Sequence, residues 1–283
     1  MFTTLIEAHD LAPHIGDPHW TIIDARHAPI GGDRNLGRTQ YAAGHLPGAF
    51  YADADVELSG PVSGTNGRHP LPDPQTFASF LQSVGVNGDS QIVIYDAGAD
   101  IWAARVWFLC RWLGHPAVAV LNGGFRAWIE QNGTIDAGLP MLPTRGTIQP
   151  HVDERIVVRA DDVLGSLGGG DMTVLDARAA DRFAGENETI DPVAGHIPGA
   201  HNRFFKLNFG EDGRFLAPEA LRVAFASENA KPERIVHQCG SGIGAAVNLL
   251  AMESAGLENS RLYAGSWSEW IADPKRPIER GPT

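Results

Sequence analysis

The chain has 283 residues, 43% of them hydrophobic and 20% charged, which is ordinary for a folded globular protein and unlike a disordered or fibrous one. Its formal net charge of −12 argues against a nucleic-acid or anionic-membrane partner, so an anionic small substrate would need a locally positive pocket. With only two cysteines, Cys110 and Cys239, there is no disulfide framework and no cysteine-rich metal site, and neither a membrane-length apolar run nor a signal peptide is found, so a cytoplasmic protein is expected.

In chain order, a short β-branched run, Thr21-Ile-Ile-Asp-Ala-Arg26, is followed by a Gly-Pro turn, Gly44-His-Leu-Pro-Gly-Ala49. A second apolar run, Gln91-Ile-Val-Ile-Tyr-Asp96, leads through a small-residue loop into an apolar helix-like stretch, where Cys110 reads as core packing. Gly123-Gly-Phe-Arg-Ala-Trp128 closes this half, and the Pro- and Gly-rich stretch 137–150 makes a connector. The same blocks then recur. Thr173-Val-Leu-Asp-Ala-Arg178, Gly195-His-Ile-Pro-Gly-Ala200, Arg234-Ile-Val-His-Gln-Cys239 and Gly265-Ser-Trp-Ser-Glu-Trp270 follow in the same order, at offsets of 152, 151, 143 and 142 residues. The chain therefore reads as a duplicated domain. Strands over Thr173–Asp176, Ile235–Gln238 and Arg261–Tyr263, separated by helices near 218–227 and 245–255, predict in each copy a mostly parallel sheet with helices on both faces, an α/β fold. The expected division is an N-terminal domain over 1–140, a linker over 141–155 and a C-terminal domain over 156–283.

The most informative segment is Cys239-Gly240-Ser241-Gly242-Ile243-Gly244. A buried-strand pattern ends on a thiol, and a glycine-rich turn follows before a helix. Glycines let successive N–H groups turn inward, and the helix adds the positive end of its dipole, a setting that lowers a thiol's pKa and holds an anion over it. A small buried hydrophobe in an ordinary turn fits the same segment. The repeat favours the reactive reading, because the first copy has Asp96 where the second has Cys239. His45 and His196, present in both copies, read as turn histidines bonded to backbone. His237 shares a strand face with Cys239, about 6 to 7 Å back along the chain, and reads as a supporting group only.

These blocks resemble the rhodanese-like sulfurtransferases, and within them the tandem-domain mercaptopyruvate type, over nearly the whole chain. The resemblance implies two rhodanese-like domains, an inactive first copy, a persulfide-carrying Cys239 in the second, and no metal or organic cofactor. It implies loop residues Gly240, Gly242, Ile243 and Gly244 around the donor, with Ser241 in a proton relay with His69 and Asp55. Arg182 matches the family's carboxylate-gripping arginine, a task suited to a guanidinium fork. The loop Cys-Gly-Ser-Gly is closer to mercaptopyruvate-type loops than to thiosulfate-type ones, which place two cations beside the cysteine. Gly244 replaces the usual threonine. A second arginine, nine residues after the first in many mercaptopyruvate enzymes, is replaced by Asp191, so the sequence counts one cation fewer in the pocket.

The expected reaction moves sulfane sulfur from 3-mercaptopyruvate, or a similar anionic donor such as thiosulfate, to a thiol acceptor such as thioredoxin, or to cyanide. A protein persulfide carrier without turnover needs the same cysteine and stays an alternative. A cysteine phosphatase does not fit, since that loop closes on an arginine six residues after the cysteine, where Ala245 stands here.

Overall fold

The computed structural model describes every residue except Ile30 and Thr283. Contacts divide the chain into two units. The first comprises Met1–Gly60, Pro72–Asp153 and Glu211–Phe215, and the second comprises Pro61–Leu71, Glu154–Gly210 and Leu216–Thr283. Each half of the sequence thus lends a short segment to the other half's unit.

The first unit runs β1 (Leu5–Ile6), α1 (Ala8–Leu11), β2 (Trp20–Asp24), α2 (Leu36–Ala43), β3 (Phe50–Tyr51), α3 (Pro74–Ser83), β4 (Gln91–Tyr95), α4 (Trp102–Trp112), β5 (Val118–Leu121) and α5 (Gly124–Glu130). Its sheet has the order β1-β5-β4-β2-β3 with every pairing parallel. The second unit runs β6 (Val157–Val158), α6 (Ala160–Ser166), β7 (Thr173–Asp176), α7 (Ala180–Ala184), β8 (His201–Asn202), α8 (Pro218–Ala226), β9 (Ile235–Gln238), α9 (Gly244–Ser254), β10 (Arg261–Tyr263) and α10 (Ser266–Trp270). Its order, β6-β10-β9-β7-β8, again all parallel, repeats the first strand for strand. The duplication read from the sequence is a duplication of topology.

Strand alternation fixes the layers. In the second unit Val174, Val236 and Tyr263 join Val163, Phe183, Trp267 and Trp270 in one buried cluster, which draws on α6, α7 and α10. The alternate residues Ile235 and His237 turn to the other face, where α9 packs on β9 and β10. That helix is apolar all round, as its sequence Gly-Ala-Ala-Val-Asn-Leu-Leu-Ala-Met demands, and every residue of that run is buried. In the first unit Ile22, Val93, Tyr95 and Leu121 pack with Leu11 and Trp128, and α4 lies on β4 and β5. Cys110 is fully buried in α4, and burial pushes its thiol well up, so it is core material.

The repeated motifs have repeated structural duties. Asp24 and Asp176, each at the end of a strand, pair with Arg26 and Arg178 at 2.6 Å, all four side chains being buried. Each arginine also donates to a carbonyl of the following Gly-His block, Arg26 to Gly44 at 2.6 Å and Arg178 to Gly195 at 2.8 Å. His45 and His196 bond backbone carbonyls through Nδ1, those of Tyr41 and Phe183, as the turn-histidine reading expects. The stretch 143–153 is laid along the first unit, where Gly146 donates to the Gln82 carbonyl at 2.8 Å and His151 to that of Leu113 at 2.8 Å.

Candidate active site

Cys239 follows directly on β9, an interior strand between β7 and β10, at the carboxyl edge where ligands sit in open parallel sheets. Its side chain is nearly covered, 7% exposed, and the Gly242 amide donates to its Sγ at 3.2 Å. Gly242 adopts φ +80°, and a Cβ there would collide with the Ala264 carbonyl, so the turn that aims this amide at sulfur requires glycine. Ile243 caps α9 with no side-chain hydrogen bond, and Gly244 opens the helix.

The loop is fastened from beneath by the last repeated block. Trp267 N–H donates to the Cys239 carbonyl at 3.0 Å and Ser268 N–H to that of Gly240 at 2.9 Å. Ser266 is held at φ +54°, an uncommon conformation for a residue with a Cβ, while its hydroxyl accepts from Cys239 N–H at 3.0 Å and donates to the Tyr263 carbonyl at 3.0 Å. Sequence reasoning missed Ser266 as a site residue. The signal was the repeat register, since it aligns with Gly124, whose φ is +59°.

His69 and its neighbours reach this loop through the segment Pro61–Leu71, which belongs to the second unit. Gly67, at φ +82°, packs so closely on Gly265 that a Cβ would strike the Gly265 carbonyl, and Arg68 N–H donates to Ser268 Oγ at 3.1 Å. His69 Nδ1 and Ser241 Oγ are hydrogen-bonded at 2.9 Å, which joins two residues of the expected relay. Asp55 belongs to the first unit, where its carboxylate lies 3.5 Å from Arg34 and its N–H donates to Asp53. His237 is fully buried with Nε2 3.2 Å from Ser260 Oγ, and burial, aided by the Arg203 charge, lowers its pKa to about 3. It is a neutral strand residue at working pH.

The charged side of the site differs from the sequence count. Arg182 is gripped by Glu188, with both Nε and Nη2 donating to it at 2.8–3.2 Å, and lies 3.3 Å from Asp191. Asp191 also pairs with Arg68 Nη1. A second guanidinium therefore stands beside the position where the family's second arginine is missing, and it comes from the other half of the sequence. A Cβ on Gly240 would lie 2.8 Å from Arg68 Nη2 and 3.6 Å from both Arg182 Nη2 and Asp191 Oδ2, so all three groups border the cysteine loop. Burial lowers the Arg68 pKa, and the charge of Cys239 opposes that shift. No signal in the sequence marks Arg68 except its place next to His69. Among the described residues no cluster of histidine, cysteine and acidic side chains could hold a metal ion.

Comparison with known proteins agrees with this architecture. The rhodanese-like domain model matches twice, over residues 7–131 and 159–273. The chain belongs to the rhodanese-like family, as a tandem member. It is 44% identical over 281 residues to the "Probable 3-mercaptopyruvate sulfurtransferase" of Pseudomonas aeruginosa, covering 98% of each. It is 30% identical over 254 residues to the thiosulfate sulfurtransferase of Cricetulus griseus, covering 86% of this chain and 84% of that one. Among solved structures, SseA of Escherichia coli, a 3-mercaptopyruvate sulfurtransferase, superposes with a TM-score of 0.83 at 34% identity, covering 94% of this chain and 99% of that one. No helix among the described residues is long and apolar enough to cross a membrane.

Proposed function

We propose that this protein is a sulfurtransferase that takes sulfur from 3-mercaptopyruvate onto Cys239 and passes it to a thiol or to cyanide. The observation that carries the reading is a cysteine at the carboxyl end of β9 whose loop is bordered by two guanidiniums. The Cys239 thiolate attacks the donor's sulfur, an S–S bond forms, and the donor's C–S bond breaks with its electron pair leaving as the enolate of pyruvate. Arg182 holds the carboxylate with the planar fork that suits it. Ser241, hydrogen-bonded to His69, delivers the proton that turns enolate into pyruvate. The outer sulfur keeps its hydrogen, so the enzyme rests as the Cys239 persulfide. A second nucleophile attacks that outer sulfur and frees the Cys239 thiolate. A small thiol, a thioredoxin-type dithiol, as a cytoplasm supplies, or cyanide can serve, and ping-pong kinetics follow.

Steady-state release of pyruvate from 3-mercaptopyruvate, with cyanide or a dithiol as acceptor, tests the reading. Continuous turnover with parallel-line kinetics supports it. A protein that accepts sulfur from another protein's persulfide but turns over neither 3-mercaptopyruvate nor thiosulfate would be a carrier instead.

A further inference from the structure

The donor site holds a charge arrangement that the family pattern does not supply. Two cations, Arg68 and Arg182, face two carboxylates, Glu188 and Asp191. The carboxylates lie behind, each with 1% of its side chain exposed, while the Arg68 and Arg182 side chains keep 28% and 18%. Arg178 and Asp176 lie deeper and pair as Arg26 and Asp24 do in the first unit, and Arg178 also reaches Glu188 at 3.5 Å, so this deeper pair leaves the formal charge count unchanged. Arg68 has spare capacity, since its Nε and Nη2 are buried without a partner among the described residues, and Nη2 is the atom nearest Gly240. Unpaired buried guanidinium donors are costly unless an anion completes them.

We propose that the Asp191–Arg68 pair sets which donor charge the site accepts. Arg68 contributes a second donor-facing cation, and Asp191 both positions it and cancels one unit of positive charge. Without its thiolate the donor pocket is then formally neutral, and with the thiolate it carries one negative charge. A singly charged donor, a carboxylate with a neutral thiol, meets two guanidinium forks at modest electrostatic cost. A dianion such as thiosulfate meets the same forks with twice the repulsion from Asp191 and from the thiolate. Asp191 is thus a specificity-determining residue that acts through Arg68 and Arg182 without touching the reacting sulfur. This inference rests on the sulfur-transfer reading above.

The test compares the full-length wild type with Asp191→Asn, Arg68→Gln and the double variant, using 3-mercaptopyruvate and thiosulfate as donors and cyanide as the common acceptor. Asp191→Asn is expected to raise kcat/KM for thiosulfate relative to 3-mercaptopyruvate by about tenfold, with the change in the KM for thiosulfate. Arg68→Gln should lower the same ratio through KM, and combining the two substitutions should bring it back toward the wild-type value. General damage to the site would slow both donors by the same factor, so an unchanged donor ratio in Asp191→Asn overturns the proposal. If that variant does not fold, Arg68→Gln decides alone, and an equal loss on both donors overturns it. Wild-type protein that turns over neither donor would instead overturn the sulfur-transfer reading itself, and this inference with it.

Discussion

The loop after β4 and the loop after β9 occupy the same place in two copies of one fold, and they use it in opposite ways. In the first, Asp96 turns its carboxylate back on its own loop, accepting from Gly98 N–H at 2.9 Å and Ala103 N–H at 3.0 Å. The strand-end turn and the first turn of α4 are satisfied from within. Burial pushes the Asp96 carboxyl above the usual carboxylate range, against the pull of those two amides. In the second, the same position carries a thiol that takes one amide, and α9 begins without a side-chain cap. The fastening beneath is shared, for Phe125 N–H reaches the Asp96 carbonyl at 2.8 Å as Trp267 N–H reaches that of Cys239 at 3.0 Å. Duplication kept the frame, and one side chain distinguishes the loop that closes on itself from the loop proposed to carry sulfur.

Making the second loop like the first should have the largest effect. Cys239→Asp is expected to lower turnover at least ~1,000-fold while leaving the fold intact, read by pyruvate release and circular dichroism. Retained activity would place the nucleophile elsewhere. Cutting the proposed relay is a smaller change: His69→Ala should lower kcat by about 100-fold, the usual reach of a positioned acid or base, with the KM for donor changed less. An unaltered kcat would leave the Ser241–His69 bond a structural contact. The first loop should respond in stability alone. Asp96→Ala leaves one buried and one half-buried amide unpaired and should cost about 1–3 kcal/mol in urea denaturation, with turnover per folded molecule unchanged.

The mildest expected effect concerns His237, two residues before the cysteine. Its folded pKa of about 3 lies below the ordinary 6.5, so the unfolded chain binds the proton first as pH falls. The stability that goes with its neutral form is complete above about pH 6.5 and is lost as the pH falls toward about 3. His237→Gln should flatten the dependence of the urea midpoint on pH across that window. The same slope in wild type and variant would assign the acid sensitivity to other groups.

Much of this was legible before any coordinates. Short, largely apolar runs located β7, β9 and β10, because strands buried on both faces of a parallel sheet read as continuous apolar segments. The apolar run after Cys239 located α9, and the repeat carried the topology from one half to the other. What was hidden depends on tertiary placement. Arg68 and Asp191 are separated by 123 positions, and composition cannot tell that a loop in one half packs into the other half's unit. The second half of the sequence alone therefore shows one cation fewer than border the cysteine loop. Ser266 was hidden for another reason, because a serine gives no local sign of a left-handed backbone. Only its register with Gly124 did.

The central claim is that Cys239 alone carries the sulfur, and intact-mass measurement after brief exposure to 3-mercaptopyruvate tests it most directly. Wild-type protein should gain the mass of one sulfur atom and lose it again on addition of cyanide, while Cys239→Ser gains nothing. No gain in the wild type, or an equal gain in the variant, would contradict the account.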